Sequence, residues 1–235
     1  MKHITKMAPP RRLHRWFDSQ PLEEGRRINC GYVHMPGDVK QIVKHQLISE
    51  QGGLCCYTGI RINNQKSHIE HFMPQSLCQN HEDVAYDNLL AAYPGDNAQR
   101  CPYGAHEKAN WYDGDLLVNP LRPDSESRFR FNLDGQIIPA QESDQAATET
   151  IKKLCLYHGS LTEMRKQAIE AALFHKNQHL REAQLRRIIT NYCQRDSNQL
   201  FRPFCFVIMQ AAQELLHKVE DKRQDKRFSR QQRRK

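Results

Sequence analysis

The sequence predicts an α+β protein in which a loop-rich mixed domain precedes an all-helical module. From Leu54 to about Ala140, half of the eight Cys residues and four of the twelve His residues lie in short segments that also hold Pro, Gly and Asn, without a long amphipathic helix. From Thr148 onward, apolar residues recur with helical spacing. A loop-rich segment of this kind is typical of a functional site, and an amphipathic helical one of a packed layer.

These patterns divide the 235 residues into four parts. We predict an N-terminal basic arm (1–38), a mixed domain (39–141), a helical C-terminal module (142–217) and a basic tail (218–235). Four prolines break the arm, and only the tail is of low complexity.

The first predicted elements are short. An amphipathic turn of helix around Leu13 and Trp16 anchors the arm. The next helix is indicated by apolar residues at helical spacing, namely Val39, Ile42, Val43 and Leu47. The Gly52-Gly53 pair should end it.

A β-hairpin is expected at the end of the mixed domain. Phe129, Phe131 and Leu133 alternate, and Asp134-Gly135 is the residue pair that a tight hairpin turn prefers. In the helical module, one predicted apolar face consists of Leu161, Met164, Ala168 and Ala172. A last helix should start near Pro203, with the apolar stripe Ile208, Ala212, Leu215 and Val219.

Composition limits the class of protein. The formal net charge is +8, but nine Lys/Arg and only three acidic residues lie in the tail, so the rest of the chain is nearly neutral. The longest apolar run, Phe204 to Met209, is far below the roughly 20 residues of a membrane helix. Eight irregularly spaced cysteines and the lack of an N-terminal apolar segment predict a reduced, cytoplasmic protein.

The densest group of chemically active residues is the segment from Ser67 to Ser76. On a strand, adjacent Glu70 and His71 point to opposite faces, so one can hold a metal ion while the other reaches a water molecule. Phosphodiester hydrolysis needs this combination, because a divalent ion on carboxylate oxygen polarises the phosphate and a neutral imidazole deprotonates the water. His68, in the same segment, either supports these two residues or is simply exposed, and we expect it to be exposed.

Further candidates follow in the sequence. Asn88 precedes two leucines, where its amide can connect a loop to a strand. His106 could supply another metal ligand, and Lys108 could face a phosphate. Pro102 and Gly104 interrupt the preceding segment, so a helix should begin only near Ala105.

The pattern Glu70-His71-x-x-Pro74-x-Ser76, followed by Asn88-Leu89, resembles the HNH endonuclease superfamily and its ββα-metal core. The resemblance implies that His71 is the general base, that Asn88 holds the loops of the motif together, and that Glu70 binds the metal together with Asn97 or His106. The last ligand of the motif lies on a helix, so a helix start near Ala105 favours His106 over Asn97. The implied cofactor is a divalent ion, Mg²⁺ in the first place, with Mn²⁺ or Zn²⁺ as alternatives. A zinc site of four thiolates is not expected, because Thr58 follows Cys55 where the second cysteine of a pair would stand.

More narrowly, the chain is similar to the small HNH proteins of the Septu and retron anti-phage defence systems, the PtuB type. The matching features are Cys55-Cys-Tyr-Thr-Gly59, Ile69-Glu-His-Phe72, Asn119-Pro120 and the hairpin ending at Pro139. This resemblance implies a toxic nuclease that acts on nucleic acid beside an ATPase subunit of the PtuA type, and in retrons beside a reverse transcriptase with its RNA–DNA product. No membrane partner is implied.

Two interpretations from other classes remain open at this point. In one, the ββα-like fold is an inactive adaptor, and the C-terminal helices carry the function. In the other, the basic tail makes the chain a nucleic-acid-binding module without cleavage. The adjacent pair Glu70-His71 favours the enzyme, since an inactive scaffold has no physical need for it.

Overall fold

The computed structural model describes residues 1–175 and 178–232 and has an α+β architecture of helices and two-stranded sheets. In chain order, the elements are α1 (Arg11–Asp18), β1 (Leu22–Glu23), β2 (Arg26–Arg27), α2 (Gly37–Glu50), β3 (His68–His71), β4 (Leu89–Ala92), α3 (Ala105–Lys108), β5 (Phe129–Phe131), β6 (Ile137–Pro139), α4 (Gln145–Lys153), α5 (Gly159–Leu173), β7 (Phe174–His175), β8 (Gln178–His179), α6 (Glu182–Asn191) and α7 (Cys205–Gln232). All four strand pairs within the described ranges are antiparallel.

The helix predicted around 39–47 is confirmed as α2. Its buried apolar residues, Val39, Val43 and Leu47, follow each other at intervals of four and form one face. The helix ends at Glu50, and Gly52 and Gly53 then adopt positive φ angles of 59° and 70°, which favour glycine.

The predicted hairpin is confirmed as β5 and β6. Phe129 and Phe131 are buried while Arg130 between them is exposed, as the alternation requires. Gly135 in the turn has a φ of 77°, and a Cβ atom there would lie only 2.4 Å from the carbonyl oxygen of Thr162. The turn therefore packs directly on the backbone of α5.

The buried face of α5 differs from the predicted one. It consists of Leu161, Arg165, Ile169 and Leu173. Arg165 is only 1% exposed, donates to the carbonyl of Leu156 and lies over the ring of Phe131, so a charged residue occupies a position in the core.

The last helix, α7, begins two residues after Pro203, close to where the sequence predicts it. Ile208, Ala212 and Leu215 are buried, and α7 packs against α5, α6 and β5. The helix continues through residues 218–232 of the predicted basic tail, and residues 233–235 of that tail lie outside the described residues. No helix within the described ranges is both long and apolar enough to cross a membrane.

The hydrophobic core continues across the predicted boundary near residue 142, from Met1 to Leu215. C-terminal residues close over the loop that follows α2. Phe201 donates its backbone N–H to Gly52, and a Cβ atom on Gly52 would collide with the Phe201 ring. Phe206 lies against Gly59 in the same way, and Arg61 donates to the carbonyl of Phe201, 140 residues away.

Candidate active site

The β3–β4 hairpin forms the floor of the candidate site. Its register pairs Glu70 with Leu90 and His71 with Leu89. All four residues of β4, Leu89 to Ala92, are fully buried, so this strand fixes β3 against the core. The short helix α3 begins at Ala105, where the sequence predicts it, and brings His106 and Lys108 to the hairpin.

Glu70 and His71 point in different directions, as strand alternation predicts. Glu70 and His68 line an open cleft of about 690 Å³, whose wall also includes Tyr32, Arg100 and His106. His71 is 7% exposed and does not line this cleft. The Tyr32 ring lies between the cleft and His71. It borders the cleft and contacts the His71 ring edge-on, with 4.5 Å between ring centroids.

Hydrogen bonds fix the protonation pattern of His71. Its Nε2 lies 2.9 Å from the carbonyl oxygen of Asp83, which can only accept, so Nε2 carries the proton. Nδ1 lies 3.5 Å from the side-chain amide nitrogen of Gln75, which is a long contact. Nδ1 therefore keeps its lone pair and is the basic atom of the ring. Burial lowers the pKa of His71, although the Asp83 carbonyl and the charge of Glu70 partly oppose this effect. The ring is therefore neutral at neutral pH.

The carboxylate of Glu70 has two different sides. Oε1 accepts from Lys108 Nζ at 2.9 Å and from the Tyr57 hydroxyl at 3.2 Å. Lys108 is 1% exposed and also donates to the carbonyl of His71 at 2.9 Å. The prediction that Lys108 faces a phosphate is therefore wrong: its ammonium is buried beneath β3, where the carboxylate compensates its charge.

Asn88 connects the loop after β3 to the start of β4. Its Oδ1 accepts from Met73 N–H at 2.7 Å, and its Nδ2 donates to the carbonyls of Met73 at 3.0 Å and Glu82 at 2.9 Å. These bonds hold both ends of the loop that carries Gln75 and Asp83, the two neighbours of the His71 ring.

The two remaining predicted residues differ in position. His106 lines the cleft and stacks on His68, with 5.8 Å between ring centroids and 24° between ring planes. Burial and the neighbouring His68 lower the pKa of His106. Asn97 lies on the exposed turn after β4, and the structure does not bring its side chain into the cleft beside Glu70.

His68 is not exposed as predicted. Its side chain is 17% exposed, its Nδ1 lies 2.6 Å from the Pro94 carbonyl, and its Nε2 lies 3.7 Å from Glu70 Oε2. Burial lowers the pKa of His68, but the neighbouring Glu70 carboxylate and the Pro94 carbonyl outweigh burial and raise it. Its approach to Glu70 follows from strand geometry, because residues two apart on a strand share a face.

The donor set is compatible with a divalent cation at Glu70. Oε2 of Glu70 is free of Lys108 and faces the cleft beside an imidazole, and carboxylate oxygen and imidazole nitrogen are both common ligands. Among the described residues, no group of three His, Cys, Asp or Glu side chains is arranged to hold a metal ion. Cys55, Cys56 and Cys101 are buried in the core.

A larger cavity, of about 1070 Å³, lies between the β5–β6 hairpin and α7. None of the predicted site residues lines it. Of the predicted site residues, Glu70 and His106 line the smaller cleft beside β3, whereas His71 and Asn88 contact the loop behind it.

Comparison with known proteins finds a relative that is named as an HNH endonuclease. No protein-family model matches the chain. A protein of Vibrio cholerae serotype O1 biovar El Tor, named "Retron Vc95 putative HNH endonuclease", is 28% identical over 142 residues. The aligned region covers 58% of this chain and 67% of the relative. This similarity supports a relationship to the HNH superfamily, in agreement with the motif around Glu70 and His71.

Proposed function

We propose that this chain is a metal-dependent HNH endonuclease of the PtuB type, which hydrolyses phosphodiester bonds in DNA or in a structured RNA such as a tRNA. One observation carries the proposal. Hydrolysis needs a metal ligand and a base, and two adjacent residues of β3 can supply them. The Glu70 carboxylate lies in an open cleft, and the neutral His71 imidazole lies behind it with its proton fixed on Nε2.

In this proposal, His71 is the general base. Its Nε2–H is held by the Asp83 carbonyl, so Nδ1 can take a proton from a water molecule without losing that hydrogen bond. Asn88 does not touch the reacting atoms. It is a positioning residue, because its three hydrogen bonds hold the loop that orients the His71 ring.

Glu70 would hold the divalent ion through Oε2. When bound, such an ion polarises the phosphate and stabilises the leaving oxygen. Lys108 and Tyr57 hold Oε1 from the interior side and so keep the other oxygen directed to the cleft. Arg100, which is 79% exposed at the rim, can contact a phosphate of the nucleic-acid backbone.

The biological setting that we propose rests on the name of the relative. Since that protein is named as part of a retron, we propose that this chain is a toxic effector in an anti-phage defence system. It would act with an ATPase subunit of the PtuA type and, in a retron, with a reverse transcriptase and its RNA–DNA product. The exposed part of α7 and the basic arm offer surfaces for such partners.

The test is survival of cells that express the wild type or His71→Ala, with and without the ATPase, followed by inspection of total DNA and RNA. His14→Ala is the matched control, because His14 is an exposed histidine on α1. We expect killing and fragmented nucleic acid with the wild type and the control, and neither with His71→Ala. The fragmented species then identifies the substrate.

Equal killing by folded His71→Ala would contradict the nuclease and favour the adaptor. If the chain is a nuclease, removal of residues 218–235 should leave a cleavage activity that is weaker and more sensitive to salt. A binding module that depends on this basic tail should lose all nucleic-acid binding.

A further inference from the structure

We propose that His68, and not His106, shares the divalent ion with Glu70, and that His106 serves the substrate as a hydrogen-bond donor. This inference rests on the proposed function for the presence of a metal ion and of a phosphate. It is carried by the hydrogen bonds that the backbone makes to the two stacked imidazoles.

The first step concerns His68. A carbonyl oxygen can only accept, so the 2.6 Å contact between His68 Nδ1 and Pro94 O requires a proton on Nδ1. The neutral ring then carries its lone pair on Nε2. This atom faces Glu70 Oε2, and a backbone contact to the other ring nitrogen is the usual way in which proteins orient a metal-binding histidine.

The second step concerns His106, whose Nδ1 accepts a hydrogen bond from the backbone, whereas Nδ1 of His68 donates one. The backbone N–H of Cys101 donates to Nδ1 of His106 at 2.9 Å, so that nitrogen holds the lone pair. The neutral ring therefore carries its proton on Nε2 and presents a donor to the cleft. A donor N–H repels a cation and suits an anionic phosphate oxygen or the oxygen of a leaving group.

The third step is the distance between the two acceptor atoms. His68 Nε2 and Glu70 Oε2 are 3.7 Å apart. Two ligands with metal bonds of about 2.0–2.2 Å at angles near 90–110° lie about 3.0–3.5 Å apart. The pair therefore needs to close by only a few tenths of an ångström around an ion.

The pair also predicts which ions bind best. Within the described residues, no third His, Cys, Asp or Glu joins it, so water and phosphate oxygens would complete the coordination. An imidazole ligand favours a first-row transition ion over Mg²⁺, and affinity should rise from Mg²⁺ to Mn²⁺ to Ni²⁺. This order differs from the preference for Mg²⁺ that the family resemblance implies.

The experiment measures binding of Mn²⁺ to the full chain by electron paramagnetic resonance, without nucleic acid, with Mg²⁺ and Ni²⁺ as competitors. His68→Asn keeps a donor for Pro94 but lacks Nε2, and His106→Asn keeps an acceptor for Cys101. We expect His68→Asn to weaken Mn²⁺ binding about tenfold or more and to reduce the preference for Ni²⁺. His106→Asn should change the affinity less than about threefold and still lose cleavage activity.

Circular dichroism melting of each variant establishes that it is folded before binding is compared. Loss of Mn²⁺ binding in His106→Asn, with full binding in His68→Asn, would overturn the inference and leave the nuclease intact. A wild type that binds none of the three ions at millimolar concentration would also overturn it. The experiment measures Mn²⁺ binding and not cleavage. If the variants show the expected binding but the wild type cleaves no nucleic acid, the proposed nuclease function is refuted and the metal site stands.

Discussion

Replacing Lys108 with methionine should strongly destabilise the protein, and replacing Glu70 at the same time should restore much of the loss. The two residues form an ion pair of 2.9 Å between Nζ and Oε1, with side chains only 1% and 12% exposed. Methionine has nearly the length of lysine, so Lys108→Met removes the charge while it fills the space. Glu70→Gln removes the opposite charge and keeps an acceptor for Tyr57.

The magnitude follows from burial and distance. At an effective dielectric constant of about 20, two unit charges 2.9 Å apart attract each other by about 6 kcal/mol, and the cost of removing both from water offsets most of this energy. Removing one partner leaves the other charge buried and uncompensated, which costs about 3–5 kcal/mol. The double variant leaves no charge, so it should be at least about 2 kcal/mol more stable than the sum of the single effects predicts.

The assay is urea unfolding followed by circular dichroism, with the four proteins of the double-mutant cycle compared at constant denaturant slope. Lys152→Met is the matched control, because Lys152 is 68% exposed and pairs with Glu149 at 3.7 Å. It should change the free energy of unfolding by less than about 1 kcal/mol. Single effects that add within about 0.5 kcal/mol would refute the argument that the buried charges compensate each other.

Three further predictions follow from single residues. Asn88→Ala removes three hydrogen bonds and should lower the free energy of unfolding by about 2–4 kcal/mol in urea, whereas Asn198→Ala, at an exposed position, should change it little. Because burial lowers the pKa of His71 and its neutral form is the base, the initial cleavage rate should be constant near neutral pH and fall on acidification with a midpoint below 6.5. Gly135→Ala should lower the free energy of unfolding, measured by thermal unfolding, by about 2 kcal/mol or more, because its Cβ atom would collide with the backbone of α5. Gly37→Ala should change it little, because a Cβ atom there meets nothing within 4 Å.

Each of these predictions has a contrary outcome. Equal stability of the Asn88 and Asn198 variants would mean that water replaces the lost hydrogen bonds. A midpoint above 6.5 would show that His71 is stabilised in its charged form or is not the base. An unaltered melting temperature for Gly135→Ala would mean that the turn can move away from α5.

Features fixed by short-range interactions could be predicted from the sequence. The β5–β6 hairpin depends on alternating Phe129 and Phe131 and on Asp134-Gly135, all within a few residues. The helix α2 depends on one apolar face and two glycines after it. The opposite directions of Glu70 and His71 follow from strand geometry alone, so this part of the candidate site was accessible as well.

Features that depend on distant backbone groups could not be predicted. His68 is partly buried because the Pro94 carbonyl, beyond the end of β4, accepts a hydrogen bond from its Nδ1. Lys108 is buried because Glu70 and the carbonyl of His71 surround its ammonium. Arg165, on α5, lies in the protein core because its guanidinium donates to the Leu156 carbonyl and lies over the Phe131 ring. In each case the partner lies at least nine residues away along the chain.

The contacts of Phe201 and Phe206 with the loop after α2 have a consequence for biosynthesis. A ribosome makes the loop and β3 early, but Gly52 and Gly59 meet their aromatic neighbours only after residues 201 and 206 have been added. A nascent chain that stops before residue 200 lacks the cover over this loop and the bond from Arg61 to Phe201. The candidate site therefore reaches its final support only after residues 201 to 206 have been synthesised, long after those of β3.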